Sequence, residues 1–227
     1  MPLRAVVFDF DGVIANSEPL HLRAFQDVLA DADVTLTDHE YYGNYLGFDD
    51  AGVFRAVDAN RGARWTTAEI DVLVSRKTER LEALERGMSL LFPGAADAIH
   101  RLAAVVPLAI ASGANGSEIR RVLDREQLTS LFSAIVPADD SLPPKPAPDP
   151  YLRAVSQLSA ARGESIAVRD CVAVEDSMWG LLSARTAGLR TVAVTHTYSA
   201  AELSNAELVI NSLYELTIDN LSALFGA

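Results

Sequence analysis

Five short runs, RAVVFDF (4–10), VPLAIAS (106–112), AIVPA (134–138), CVAVED (171–176) and RTVAVT (190–195), are apolar with little interruption. A strand with one wet face alternates apolar and polar residues, whereas continuous apolarity implies burial on both faces, as in a parallel sheet covered by crossover helices. Helical patterns fall between the runs, near 94–105, 116–126, 148–161, 177–187 and 212–225, and a weaker sixth run, ELVI, covers 207–210. Strand and helix in alternation predict an α/β fold built on a parallel sheet.

From about residue 17 to 86 the pattern changes. SEPLHLRAFQDVLADA, TDHEYYGNYLG, DDAGVFRAVDANRG and TTAEIDVLVSRKTERLEALER read as helices, and no strand pattern interrupts them. Ser17 and either Thr66 or Thr67 are N-cap candidates, and Glu69 stands three residues after Thr66 as a capping box requires. The expected division is a core of residues 1–16 and 88–227 and a helical cap of residues 17–87, with hinges near Asn16, Ser17 and Gly87. Phe25, Tyr41, Tyr42 and Trp65 are expected to pack inside the cap.

The chain has 31 acidic against 19 basic residues, a formal net charge of -12. Polyanion binding rests on neutralising phosphates with Lys and Arg, so nucleic acids and acidic membranes are poor partners. A small anion in a locally tuned pocket remains compatible. The single cysteine, Cys171, lies in an apolar run and predicts a buried structural thiol in a reducing compartment. The opening MPLRAVVF enters a strand with no leader and no long apolar span, and predicts a soluble, cytoplasmic protein. A monomer or small homo-oligomer is expected.

In an open parallel sheet, ligands bind at the carboxyl ends of the strands. There the first run ends in Asp9 and Asp11, the second in Ser112, Gly113, Ala114 and Asn115, and the fourth in Glu175 and Asp176, while Lys145 follows the third. A carboxylate at a strand end is often only a helix cap, Ser before Gly only a turn, and Lys145 in PPKPAPDP only a solvated loop charge. Taken together those accounts fail, because nothing structural asks for four acids on one edge. A hard cation such as Mg²⁺ does: it takes a few carboxylates and accepts substrate phosphate oxygens. Ser112 and the amides of Gly113, Ala114 and Asn115 would then cradle a phosphate at a helix start. Lys145 would add positive charge, Asp9 would attack phosphorus, and Asp11 would serve as acid and base.

DFDGV, ASGAN, KPAPDP and VEDS stand in the order of the four motifs of the haloacid dehalogenase superfamily, and the chain resembles its beta-phosphoglucomutase and phosphoglycolate phosphatase-like branch along essentially its whole length. The resemblance implies a Rossmann-like core with a helical lid. It implies an aspartyl-phosphate on Asp9, acid/base work by Asp11 with its carbonyl on Mg²⁺, phosphoryl binding by Ser112 and Lys145, and a metal site completed by Glu175 and Asp176. Of that pair, Asp176 is the expected direct ligand. SEPLHLRAF resembles the branch pattern in which Glu18 and His21 face the core site, and Lys77 matches a cap lysine of the branch. The plain alternatives are a carboxylate serving the helix dipole, a satisfied interface histidine and a solvated lysine.

Asp11 argues for an alkoxide leaving group, because resembling dehalogenases, whose halide leaves without a proton, lack that acid. A mutase must also anchor a second phosphate in the cap, and YLGFDDAGVF places Asp49 and Asp50 where resembling mutases carry an arginine. The expected function is therefore an Mg²⁺-dependent phosphatase acting on a sugar phosphate or short phospho-acid. A hexose-phosphate mutase is the first alternative and a non-catalytic phospho-acceptor switch the second.

Overall fold

The computed structural model describes residues 3–46, 48–140 and 142–226. The chain divides into two compact units, Met1–Asn16 with Ser89–Ala227, and Ser17–Met88.

In the first unit, six strands form one parallel sheet: β1 (Ala5–Phe8), β2 (Leu108–Ala111), β3 (Phe132–Val136), β4 (Cys171–Glu175), β5 (Arg190–Val194) and β6 (Leu208–Ile210). Their order across the sheet is β3-β2-β1-β4-β5-β6. This is the doubly wound order, and it puts β1 at the point where the chain switches from building one side of the sheet to the other. Such a switch leaves a crevice beyond the carboxyl end of β1.

Burial on both faces, expected from the continuous apolar runs, holds for β1, β2 and β4, whose residues are all buried. Crossover helices α5 (Ala95–Ala103), α6 (Gly116–Arg125), α7 (Asp149–Arg162) and α8 (Met178–Ala187) separate the strands. On one face, Tyr151, Ala154, Val155 and Leu158 of α7 join Ala5 and Val7, Ala109 and Ala111, and Cys171 and Ala173 in a common cluster. Alternate residues of each strand take part because successive side chains point to opposite faces. Cys171 is buried there as a free thiol, and burial pushes its pKa up to about 12, so it packs as a small apolar group.

The predicted helix over 212–225 is corrected. A 3₁₀ turn, Leu213–Glu215, precedes a short helix α9, Ile218–Ala223. Thr217 is the reason: it is extended (φ -108, ψ 158), and its side chain accepts from the amide of Asn220, which starts a new helix instead of extending the turn.

The second unit is helical throughout its regular elements: α1 (Glu18–Ala30), α2 (Asp38–Asn44), α3 (Asp50–Arg61) and α4 (Thr67–Leu84). Its interior gathers Leu22, Phe25, Tyr41, Phe54, Ile70 and Leu73 among others, with the Phe25 and Phe54 rings edge to face at 5.2 Å. Trp65 packs against this cluster, whereas Tyr42 is 45% exposed with its ring edge-on to Tyr41, so the packing role expected for it is minor. Thr66 forms the capping box with Glu69. Ser17 occupies the N-cap position of α1 in a helical conformation and makes no side-chain cap, contrary to expectation. Among the described residues, no helix is long and apolar enough to cross a membrane.

Candidate active site

Asp9 continues the ladder beyond β1, its amide donating to the Val174 carbonyl of β4 at 2.9 Å. The carboxylate is thus carried just past the end of a fully buried strand, and Asp9 is 8% exposed. Phe10 turns into the core, Asp11 is half-buried, and Gly12 takes the left-handed conformation (φ +76) that closes the turn. Its amide donates to Ala15 O at 2.9 Å. Gly12 is required by space as well as by φ: a Cβ there would stand 1.9 Å from Asp176 Oδ2. The first strand's turn and the end of β4 therefore touch.

Glu175 at the end of β4 has no solvent exposure. Its Oε1 accepts from Lys145 Nζ (2.6 Å) and from the Tyr151 hydroxyl (2.7 Å). Its Oε2 accepts from the Ser177 hydroxyl at 3.1 Å and the Asp176 amide at 3.2 Å. The space beneath it exists because residue 180 is glycine, where a Cβ would fall 1.9 Å from the carboxylate. Lys145 Nζ reaches across to Asp9 Oδ1 at 2.8 Å, and lies 5.0 Å from the centroid of the Tyr151 ring. The lysine that sequence reasoning placed in a proline-rich loop is thus held by two buried acids.

Asp9, Glu175 and Asp176 each offer an oxygen, and these lie within 4.8 Å of one another. Three buried carboxylates face one ammonium. Burial, with Glu175 and Asp11 adding negative charge and Lys145 opposing, pushes the Asp9 carboxyl up to about 7. Burial, then the charges of Glu175 and Asp9, raise Asp176 well above the usual carboxylate range. Burial alone would lower Lys145, but Asp9 and Glu175 outweigh it and hold the amine protonated. With all three acids ionised the group carries two negative charges more than Lys145 offsets, and oxygen-only donors of that charge suit a divalent hard cation. Asp11 contributes no side-chain oxygen to the group of three.

Ser112 follows β2, the strand beside β1, so it shares the sheet edge with Asp9. It is 5% exposed, and its Oγ accepts from the Ala114 amide at 3.0 Å. Gly113 and Asn115 are exposed, and Asn115 is the N-cap residue of α6 without a side-chain cap bond. The next amide, Gly116, donates to Asp139 Oδ1 at 2.8 Å, so the start of α6 is partly served by the chain's own carboxylate.

The cap residues form a separate cluster in the helical unit. Lys77 is not solvated: it is 1% exposed, with Nζ 2.7 Å from Asp50 Oδ1 and 2.8 Å from His21 Nδ1. An ammonium only donates, so His21 accepts through Nδ1. The Nζ also lies 4.8 Å from the centroid of the Phe25 ring. Glu18 accepts from the Tyr41 hydroxyl, and Asp49 caps α3 through the amide of Gly52 at 2.7 Å.

Sequence reasoning missed Tyr151, Ser177, His196 and Thr197, and it named Asp50 without pairing it with Lys77. Thr197 donates its hydroxyl to Asp176 Oδ2, and His196 Nδ1 pairs with Gly12 O at 2.9 Å. The available signal was position: Thr197 and His196 follow β5, next to β4, where a polar THTY replaces the apolar run.

Residues 6–194 match the family model described as haloacid dehalogenase-like hydrolase. Protein CbbY of Rhodobacter capsulatus is 32% identical over 212 residues, covering 89% of each chain. Hexitol phosphatase B of Escherichia coli K12 is 29% identical over 226 residues, covering 96% of both. Among solved structures, CbbY from Rhodobacter sphaeroides in complex with xylulose-(1,5)bisphosphate superposes with a TM-score of 0.79 at 27% identity, covering 94% of this chain and 96% of that one. Beta-phosphoglucomutase from Clostridium difficile gives 0.83 at 17% identity over 99% and 97%, a likeness of fold.

Proposed function

The chain belongs to the haloacid dehalogenase-like hydrolases, and from that premise we propose that it is an Mg²⁺-dependent phosphomonoesterase that hydrolyses a small phosphorylated metabolite through an aspartyl-phosphate on Asp9. The observation that carries this reading is the buried group of Asp9, Glu175 and Asp176 around the single ammonium of Lys145.

Asp9 is the nucleophile: its carboxylate oxygen bonds to phosphorus as the ester P–O bond breaks. Asp11, two residues on and half-buried, gives its proton to the departing alkoxide. It then takes a proton from the water that hydrolyses the acyl phosphate and returns the Asp9 carboxylate. Lys145, kept charged by its two acidic partners, binds a phosphoryl oxygen, and Ser112 with the amides of Gly113, Ala114 and Asn115 binds the others. Glu175 has both oxygens engaged by Lys145, Tyr151, Ser177 and a backbone amide, which suits an anchor for Lys145. Asp9, Asp176 and the Asp11 carbonyl are then the groups that would hold Mg²⁺, with Glu175 behind them. The ion would neutralise phosphoryl charge and align it with Asp9.

For the substrate, a phosphorylated sugar or polyol is supported by relatives such as hexitol phosphatase B, and a short phospho-acid rests on the sequence resemblance alone. Beta-phosphoglucomutase of Bacillus subtilis, 25% identical over 224 residues, favours a mutase as the second reading. Against it, Asp49 is committed to capping α3 and Asp50 to Lys77, so this stretch offers carboxylates where a second phosphate needs a cation. In the phosphatase reading, residues 17–87 act as a lid that selects substrate, with Glu18 and His21 as its specificity residues and Lys77, closed off by Asp50 and His21, in a structural role.

The test is turnover of a panel of phosphorylated sugars, polyols and short acids, with Mg²⁺ and with EDTA. Release of inorganic phosphate that requires Mg²⁺ supports the reading. An isomerised sugar phosphate that needs a bisphosphate primer supports the mutase. A stable phosphoprotein without turnover after acetyl phosphate treatment supports the phospho-acceptor switch.

A further inference from the structure

The residues that follow β5, half-buried Thr195 and His196 and exposed Thr197, are each held by hydrogen bonds within the core unit. The Thr195 amide donates to Ile210 O at 3.0 Å, and its hydroxyl donates to Asn211 Oδ1 at 3.2 Å. The His196 ring stacks on Phe92, centroids 3.9 Å apart and planes 15° apart, while its Nδ1 meets Gly12 O. A carbonyl only accepts, so Nδ1 carries the proton. Thr197 then presents its hydroxyl to Asp176 Oδ2, on the side where the Gly12 Cα closes in.

We propose that Thr197 is a positioning residue for the divalent-ion site, pinning Asp176 Oδ2 between its hydroxyl and the Gly12 backbone so that Oδ1 is the oxygen presented to the ion. The inference rests on the reading of Asp9 and Asp176 as ion ligands given above. Asp176 is 5% exposed and shares its surroundings with Asp9 and Glu175, so repulsion would swing an untethered carboxylate away from them. A hydrogen bond to the rear oxygen opposes that swing before any ion arrives. A rigid donor is needed for this, and the stacked, hydrogen-bonded His196 supplies the rigidity. Partners of this kind, one bond behind a ligand, commonly change metal affinity by about 10–100-fold when removed.

The experiment is a calorimetric titration of the full chain with Mg²⁺ alone, without substrate, for wild type, Thr197→Val and Thr197→Ser. Thr197→Val should bind Mg²⁺ about 10–100-fold more weakly, and Thr197→Ser, which keeps the hydroxyl, should return to within about threefold of wild type. In turnover, the Mg²⁺ concentration at half-maximal rate should rise in Thr197→Val while kcat at saturating Mg²⁺ changes much less. Wild-type Mg²⁺ affinity in a folded Thr197→Val protein overturns this inference and leaves the phosphatase reading intact. Equal weakening in Thr197→Ser and Thr197→Val also overturns it, since the hydroxyl would then not be the cause. No Mg²⁺ binding by wild type defeats the metal reading itself. If Thr197→Val does not fold, Thr197→Ala in the same titration decides between the same outcomes.

Discussion

Each unit holds one lysine against acidic partners, buried Lys77 and half-buried Lys145, and the two differ in how the charge closes. In the helical unit, Lys77 at 1% exposure meets one carboxylate, Asp50, and one neutral acceptor, His21 Nδ1. The account balances within the protein. In the sheet unit, Lys145 meets Asp9 and Glu175, and Asp176 stands beside them, so negative charge remains in excess. Burial of unbalanced charge is costly, and a fold that retains it does so where a ligand completes it. Charge balance, and not burial alone, separates a structural lysine from one poised at a site.

The largest effect that would break this contrast concerns Asp9. Asp9→Asn should lower Mg²⁺-dependent turnover of an aryl phosphate by about 10³-fold or more, roughly 4 kcal/mol of barrier. Retained turnover in a steady-state assay would remove Asp9 as the nucleophile.

Next in size are the two lysines, compared by thermal melting with Mg²⁺ and with EDTA. Lys145→Met leaves three acids without their ammonium and should cost about 3–5 kcal/mol in EDTA, part of it recovered by Mg²⁺. Lys77→Met should cost less, about 1–3 kcal/mol, since Asp50 keeps some access to water, and Mg²⁺ should not alter that cost. A metal-sensitive loss at Lys77 would place both lysines in one class.

A smaller effect is the pH dependence of the metal-free protein. The Asp9 carboxyl, raised from 3.8 to about 7 in the folded state, binds its proton there more tightly than in the unfolded chain. The stability it contributes is complete below about 4 and is lost as pH rises through about 7, and Asp176 acts in the same direction. In EDTA the melting temperature should therefore fall between these limits, with a shallower fall in Asp9→Asn. Addition of Mg²⁺ should stabilise the wild type more at pH 8 than at pH 6.

The smallest is a matter of local structure in the helical unit. Thr66→Ala removes the capping box with Glu69 and should cost about 1 kcal/mol in denaturant unfolding, with no change in Mg²⁺ affinity.

What could be read from the chain before the structure follows from locality. Strand positions were legible because burial on both faces leaves continuous apolar runs, and the group at the sheet edge because strand ends and site residues coincide in a parallel sheet. Lys77 was not legible as buried. Nothing around it in α4 announces Asp50 from α3 and His21 from α1, so its burial is a tertiary fact. The same applies to Glu175, whose Tyr151 partner comes from α7, and to Thr197, which lies outside every recognised motif. The break before α9 was legible only in that Thr217 is a residue type that caps helices, and the apolar pattern across 212–225 concealed it.

The two segments that lead out of and back into the core unit lie side by side. The Asn16 amide donates to Leu90 O at 2.7 Å, the Phe92 amide donates to Ile14 O at 3.0 Å, and Ala15 bridges Leu91 in antiparallel fashion. The entry and exit of the helical excursion are zipped together within the core, so the core's chain is closed whatever hangs between those ends. Evolution or an engineer can therefore trade one such excursion for another of different length at little entropic penalty, with the acidic sheet edge left as it was.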